Sequence, residues 1–229
     1  MGIQERKERE KEHRKEEIIT AAQKIFFEKG LQAATMDEIA EAAELSKGTL
    51  YLYYKSKEDL YLAVMMRGMD ILAEMFEATN KAGEPVITRI SKLGQAYQQF
   101  FRSHTNYFRM FRFFENPQFH TQVSPEMNTL CTQSNQRIWK AVIELIQEGI
   151  DQHLIESELS AAEMAIILWS TAASLMYRID SQYEYWKATM GVDLEEVLQK
   201  SNRLVFEAML TPKGKEQYKM LLQPEPIAN

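Results

Sequence analysis

Between Thr35 and Leu60 the sequence TMDEIAEAAELSKGTLYLYYKSKEDL signals three helix starts in close succession. Thr35 followed by Glu38 is a capping box, in which the hydroxyl accepts from the third backbone N–H while the carboxylate reaches back, so a helix begins at Met36. Ile39, Ala40 and Ala43 share one face of it. Leu45-Ser46 interrupts, and Ser46 is the N-cap of a second helix over 47–54. Ser56 with Asp59 repeats the cap for a third. Two helices of two turns each cannot hold themselves together in water, because nucleation is costly and little surface is buried. They need a seat, and the preceding amphipathic run of Ile18, Ala22, Ile25 and Phe26, ended by Gly30, supplies it.

The second short helix carries Lys47, Gly48, Thr49, Tyr51, Leu52 and Tyr53, followed by Lys55 and Lys57. From Ser46 to Lys57 there are three lysines and no carboxylate, in a chain whose formal net charge is −6. Hydroxyls, aromatic rims and ammonium groups on one short helix suit phosphate oxygens and base edges. The pattern reads as a helix-turn-helix whose second helix enters the major groove of double-stranded DNA. The acidic total does not oppose this. Residues 1–60 hold eleven Lys/Arg against thirteen Asp/Glu and the remainder sixteen against twenty, so binding must rest on a local patch with the acidic bulk turned away. By spacing and charge alone, an ordinary helical corner with a lysine-tyrosine surface is the competing reading.

The residue string favours the first. T-x-x-x-I-A-x-x-A from Thr35, S-x-G-T-L-Y from Ser46 and Y-Y-K-S-K-E-D-L from Tyr53 closely resemble the DNA-binding module of the tetracycline-repressor (TetR) family of transcriptional regulators, over about the first quarter of the chain. The resemblance implies an all-α chain with a helix-turn-helix domain over 1–56, including a charged extension over 1–15. A helical ligand-binding and dimerisation bundle would follow over 57–229, with nine or ten helices in all. By the same resemblance Lys47 and Gly48 approach base edges and Leu52 meets a thymine methyl group. Thr35, Thr49, Tyr51, Tyr53 and Lys57 match phosphate-holding positions, and Tyr54 matches an aromatic that packs inward. Glu44 departs from the pattern, standing where the family usually has glycine in the turn. A non-glycine residue in the left-handed conformation costs about 1 kcal/mol. The function implied is that of a non-enzymatic homodimeric repressor of a palindromic operator, released by a small effector. An activator, or a regulator controlled by a protein partner, is the alternative.

Elsewhere the composition narrows the field. Glycine and proline are scarce, nine and six, and no alternating Val/Ile/Thr run bounded by turn residues appears, so no sheet is expected. The single cysteine, Cys131, leaves no intramolecular disulfide and no cysteine-based zinc site. His104, His120 and His153 lack ligand spacing, and no phosphate loop or nucleophile elbow is present, so catalytic residues, metal and cofactor are expected to be absent. The N-terminus has no apolar core of the signal-peptide kind, and the apolar run 161–177 is too interrupted to span a membrane, which suggests the cytoplasm.

In chain order, Glu5 to Glu17 holds six basic and six acidic residues, with Glu5–Arg9 and Glu10–Arg14 spaced for ion pairs. This is a solvated helical extension, or an arm for flanking phosphate or the minor groove. A long helix over 57–80, closed by Lys81-Ala82-Gly83 and weakened at Gly68, joins the two domains. Pro85 opens the next helix, to about Ser103. An aromatic stretch over 104–115 is stopped by Asn116-Pro117, a loop runs to Ser124, and a further helix reaches about Gln152. Helices over 161–185 and 193–210 carry apolar stripes suited to a four-helix interface between two copies. Thr211-Pro212 begins a short last helix. Phe100, Phe101, His104, Tyr107, Phe111, Phe114, Met127, Trp139 and Trp169 are the candidate lining for an elongated, mostly apolar effector, acyl or aromatic. Arg109, Arg112 or His104 would serve an anionic end. Rings at helical spacing are equally what an ordinary core contains.

Overall fold

Gly30 is where the first helical run breaks. At φ 72°, ψ 172° it kinks α1 (Ile3–Ala33) as the sequence indicates, and the turn beyond it leads to α2 (Met36–Ala42) and α3 (Lys47–Tyr53). The computed structural model describes residues 2–80, 83–114 and 116–222. The helices that follow are α4 (Lys57–Thr79), α5 (Val86–Ser103), α6 (Thr105–Phe114), α7 (Pro117–His120), α8 (Pro125–Asp151), α9 (Ala161–Met190), α10 (Leu194–Met209) and α11 (Pro212–Leu222). Among the described residues these eleven helices are joined by no strand, only by an isolated antiparallel bridge between Ile155 and Leu210. The expected closure of α4 at Lys81 and Ala82 lies outside the described residues.

Two boundaries differ from the sequence reading. Asn116 stops α6 but also starts α7, since its side chain accepts from the N–H of Gln118 and a proline occupies the first turn. That adds the eleventh helix. α9 runs to Met190 rather than Tyr185: its last turn, Trp186 to Met190, is not buried, and the end is set by Gly191 at φ 64°, whose N–H reaches Trp186.

Packing groups the chain into two compact units, one formed by residues through Ile71 with His104–Gln136, the other by Leu72–Ser103 with the residues from Arg137 onward. The unit that holds the helix-turn-helix therefore includes α6, α7 and the start of α8, which a linear division at 56/57 assigns to the second domain. In it Ile18, Ala22, Phe26, Ile39, Leu50, Tyr54 and Leu60 form the buried seat for the short helices. Tyr61 of α4 meets Phe26, Phe113 and Phe119 edge to face, with centroids 5.1, 5.6 and 5.7 Å away. Gly68 owes its place to a neighbour: a Cβ there would lie 2.6 Å from the ring of Tyr107, whose hydroxyl donates to Gln23 at 2.8 Å.

In the other unit Arg89 pairs with Glu148, and Arg137 holds Glu77 through two donors at 2.8 Å each. α11 is anchored at its first turn, where Thr211 N–H donates to Leu154 O at 3.1 Å and Thr211 Oγ1 to His153 O at 3.0 Å. No helix of the described residues is long and apolar enough to cross a membrane.

Candidate functional site

The α2–turn–α3 element is built from local caps. Thr35 Oγ1 accepts from Glu38 N–H at 3.2 Å, and Glu38 Oε2 accepts from Thr35 N–H at 3.0 Å, completing the capping box. Lys29 donates to the same carboxylate at 2.7 Å. Its ammonium first, and the Thr35 donors second, hold the Glu38 carboxyl below the usual range. Ser46 Oγ accepts from Thr49 N–H at 3.1 Å and caps α3. Between the helices Leu45 N–H bonds Ala40 O at 2.9 Å and Glu44 N–H bonds Glu41 O at 3.0 Å, the paired hydrogen bonds of a Schellman turn. Glu44 occupies its left-handed position at φ 55°. The turn is therefore wound as a glycine would wind it, with the steric cost retained.

This framework leaves one face of α3 open. Leu52 is 85% exposed and Tyr51 43%, while Leu50 beneath them is fully buried. Lys47 and Gly48 are exposed, and Thr49 and Tyr53 half-buried. A Cβ on Gly48 would meet only Ser46 Oγ, at 3.8 Å, so packing does not demand glycine there. Tyr54 points inward and is buried, and that burial, above all, raises its hydroxyl pKa.

The three lysines, with no carboxylate between them in sequence, all have partners in space. Lys47 pairs with Asp37 of α2 at 2.6 Å and Lys55 with Glu126 of α8 at 2.7 Å; each carboxylate raises the pKa of its ammonium. Lys57 donates to the carbonyls of Ala34 at 2.9 Å and Gln32 at 3.4 Å, tying α4 to the end of α1. Ser56 Oγ caps α4 by accepting from Asp59 N–H at 3.0 Å. The Asp59 carboxylate, buried at 2% exposure, accepts from Ser124 N–H at 2.7 Å.

In the second unit a cavity of about 460 Å³ lies among α4, α5, α8, α9, α10 and α11. Phe76, Tyr97, Ile146 and Phe206 form part of its apolar wall, with Trp169 stacked on Tyr97 at 4.2 Å. Lys200 and Arg203 are the charged residues on its surface, beside Gln98, Gln199 and Asn202. Of the residues proposed from sequence as effector lining, Trp169 lines this cavity and Trp139 stands 5.4 Å from it, ring to ring. Phe100 and Phe101 are buried in the same unit without lining it. His104, Tyr107, Phe111, Phe114 and Met127, with Arg109 and Arg112, belong to the other unit, where Phe114 meets His120 at 4.7 Å and Phe27 meets Tyr107 at 4.9 Å. Tyr107 is buried there, while His104, Phe111, Phe114 and Met127 are half-buried. The signal that finds the cavity is the α10 spacing Gln199, Asn202, Arg203, Phe206, which puts polar and apolar groups on one face. Cys131 is buried, and burial pushes its thiol up to about 12, which leaves it unreactive. Among the described residues no group of three His, Cys, Asp or Glu is placed to hold a metal ion.

The profile of the bacterial regulatory proteins of the tetR family matches residues 18–64, from the seat on α1 through the first turns of α4. Over these residues the chain is similar to the DNA-binding module of the tetR family. The HTH-type transcriptional activator FasR of Mycolicibacterium smegmatis is 28% identical over 145 residues, 62% of this chain and 64% of FasR. The HTH-type transcriptional regulator YhgD of Bacillus subtilis is 39% identical over 72 residues, 31% of this chain and 36% of YhgD. The chain thus spans less than two thirds of either relative. Thermus thermophilus FadR, a TetR-family repressor solved with lauroyl-CoA, superposes with a TM-score of 0.60 at 24% identity, covering 94% of this chain and 98% of that one. At that identity the likeness is one of fold.

Proposed function

We propose that this TetR-family protein is a homodimeric regulator that binds a palindromic operator in double-stranded DNA through α3 and releases it when a small, mostly apolar effector fills the cavity of the second unit. The observation that carries the first part is the face of α3: an apolar side chain at 85% exposure beside a glycine that packing does not require. Leu52 suits a thymine methyl group, and bare backbone at Gly48 suits close approach of a DNA edge. Thr35, Thr49, Tyr51 and Tyr53 surround them as phosphate donors, and Lys47 is the base reader. Lys57 is a phosphate contact only after it leaves two carbonyls. The protein acts in the cytoplasm as a non-enzyme.

The dimer is supported by Ile166 at 54% and Ile167 at 39% exposure on α9, with Leu204 at 64% on α10. Apolar side chains in such number on two adjacent helices fit a face covered by a second copy. Two α3 helices about 34–36 Å apart would then read successive major grooves. α4 carries Lys57 at one end and the cavity residue Phe76 near the other, so effector-linked movement of this helix is the coupling route, with a useful size of about 1–3 kcal/mol. Activation is the second reading, favoured by the name of the FasR relative.

Selection of bound fragments from random DNA tests the proposal: an inverted repeat is the expected outcome, and no enrichment overturns it. Lys47→Ala should alter the selected sequence, whereas Tyr53→Ala should weaken binding evenly and reduce its salt slope. Gly48→Ala should leave folding intact while lowering operator affinity. Lys57→Ala is a poorer probe, because it also frees the carbonyls that end α1. A reporter placed behind the selected repeat separates repression from activation.

A further inference from the structure

The cavity wall has an uneven charge. The chain holds 33 Asp and Glu against 27 Lys and Arg. Yet the residues lining this cavity include Lys200 and Arg203 and no carboxylate at all. The two cations are not buried in the wall. They are exposed residues of α10, next to exposed Gln199 and the half-buried Asn202, while Ile90, Val142, Leu145 and Ala165 on the far wall are buried. The cavity is therefore polarised: an apolar interior opens at a mouth of amide and cationic donors. Gln199 already bonds Gln98 across that mouth at 2.7 Å. Lys200 is held by Glu196 at 2.8 Å, one turn back along α10 and outside the lining, and Arg203 has no ion pair among the described residues. Lys200 stands one turn before Leu204 on α10, so the mouth borders the apolar face assigned above to the second copy.

We propose that the ligand of this cavity is an anionic amphiphile, with a carboxylate or phosphate held at the mouth by Arg203 and Lys200 and an aliphatic body lying inside against Tyr97 and Trp169. This deepens the effector reading and rests on it. The size agrees, since 460 Å³ falls within the roughly 300–1,000 Å³ of small-molecule sites and is enclosed largely by apolar side chains. The head-group choice follows from donors alone: guanidinium, ammonium and amide N–H groups all favour an acceptor-rich anion. A cationic head would meet only repulsion there, and a neutral hydroxyl would leave the guanidinium no charged partner.

Calorimetric titration of the full-length protein with dodecanoate, dodecyl phosphate, dodecanol and dodecyltrimethylammonium, each below its aggregation concentration, tests this directly. The two anions should bind at least about tenfold more tightly than the other two, the size expected for charge-assisted hydrogen bonds. Replacing both cations, Lys200→Gln with Arg203→Gln, should bring the anions to the level of dodecanol, while Arg203→Lys keeps most of the preference. Ala172→Leu, which fills the cavity from α9, should abolish binding of all four. A stronger response to dodecyl phosphate assigns a phosphate-bearing head, and a stronger one to dodecanoate a free carboxylate. Equal affinity for every head overturns the anionic anchor but leaves an apolar effector standing. Failure of all four to bind overturns the anchor and the effector reading together.

Discussion

The two units use the same kinds of side chain to opposite ends. Around Tyr61 and Tyr107 in the first, rings from α1, α4, α6 and α7 fill space until even a methyl group at Gly68 would collide. Around Tyr97 and Trp169 in the second, rings stack but stop short of closing, and a cavity remains. Aromatic content alone therefore says little about where a ligand sits. What separates the cases is whether the facing helix brings bulk, as α6 does with Tyr107, or small and polar groups, as α9 and α10 do with Ala172, Gln199 and Asn202.

The contrast can be broken most forcefully at Tyr61. Tyr61→Ala should cost about 3–5 kcal/mol in urea unfolding, as for other large aromatic truncations in filled cores; a loss below 1 kcal/mol would mean the first unit is not closely packed. Next is Gly68→Ala. Helix propensity favours it, yet displacement of the Tyr107 ring should make it destabilising by about 1–3 kcal/mol, measured the same way. Ala172→Leu adds more volume than Gly68→Ala but projects into the cavity, so its cost should stay below about 1 kcal/mol while ligand binding disappears. A larger cost would show the cavity walls to be rigid and already full. The smallest effect is expected from Glu44→Gly, which relieves φ 55° and should raise stability by up to about 1 kcal/mol in thermal melts. No gain there would mean that the Glu44 side chain contributes something the turn geometry does not show.

What the sequence made legible was whatever chemistry is local. The starts of α2, α3 and α9 were readable because a hydroxyl and a carboxylate or N–H three residues apart form a complete structural unit. The inward turn of Tyr54 followed from the family pattern. The left-handed turn at Glu44 showed up as a departure whose winding only coordinates could give. Illegible were features fixed by distant partners: the carboxylates that hold Lys47 and Lys55, the carbonyls that take Lys57, and the assignment of α6 and α7 to the first unit. The effector lining drawn from ring density fell largely on that unit, because periodicity tells which face of a helix is covered but not whether the covering leaves a gap.

The pairing of Lys47 with Asp37 and of Lys55 with Glu126 bears on how this protein would search a genome. A cation that must let go of its own carboxylate before it touches a phosphate gains little from an arbitrary stretch of duplex. Dwell times on random sequence should accordingly be short, and residence at the right site should depend on the uncharged groups, Leu52 and Gly48 foremost, that no internal counterion satisfies.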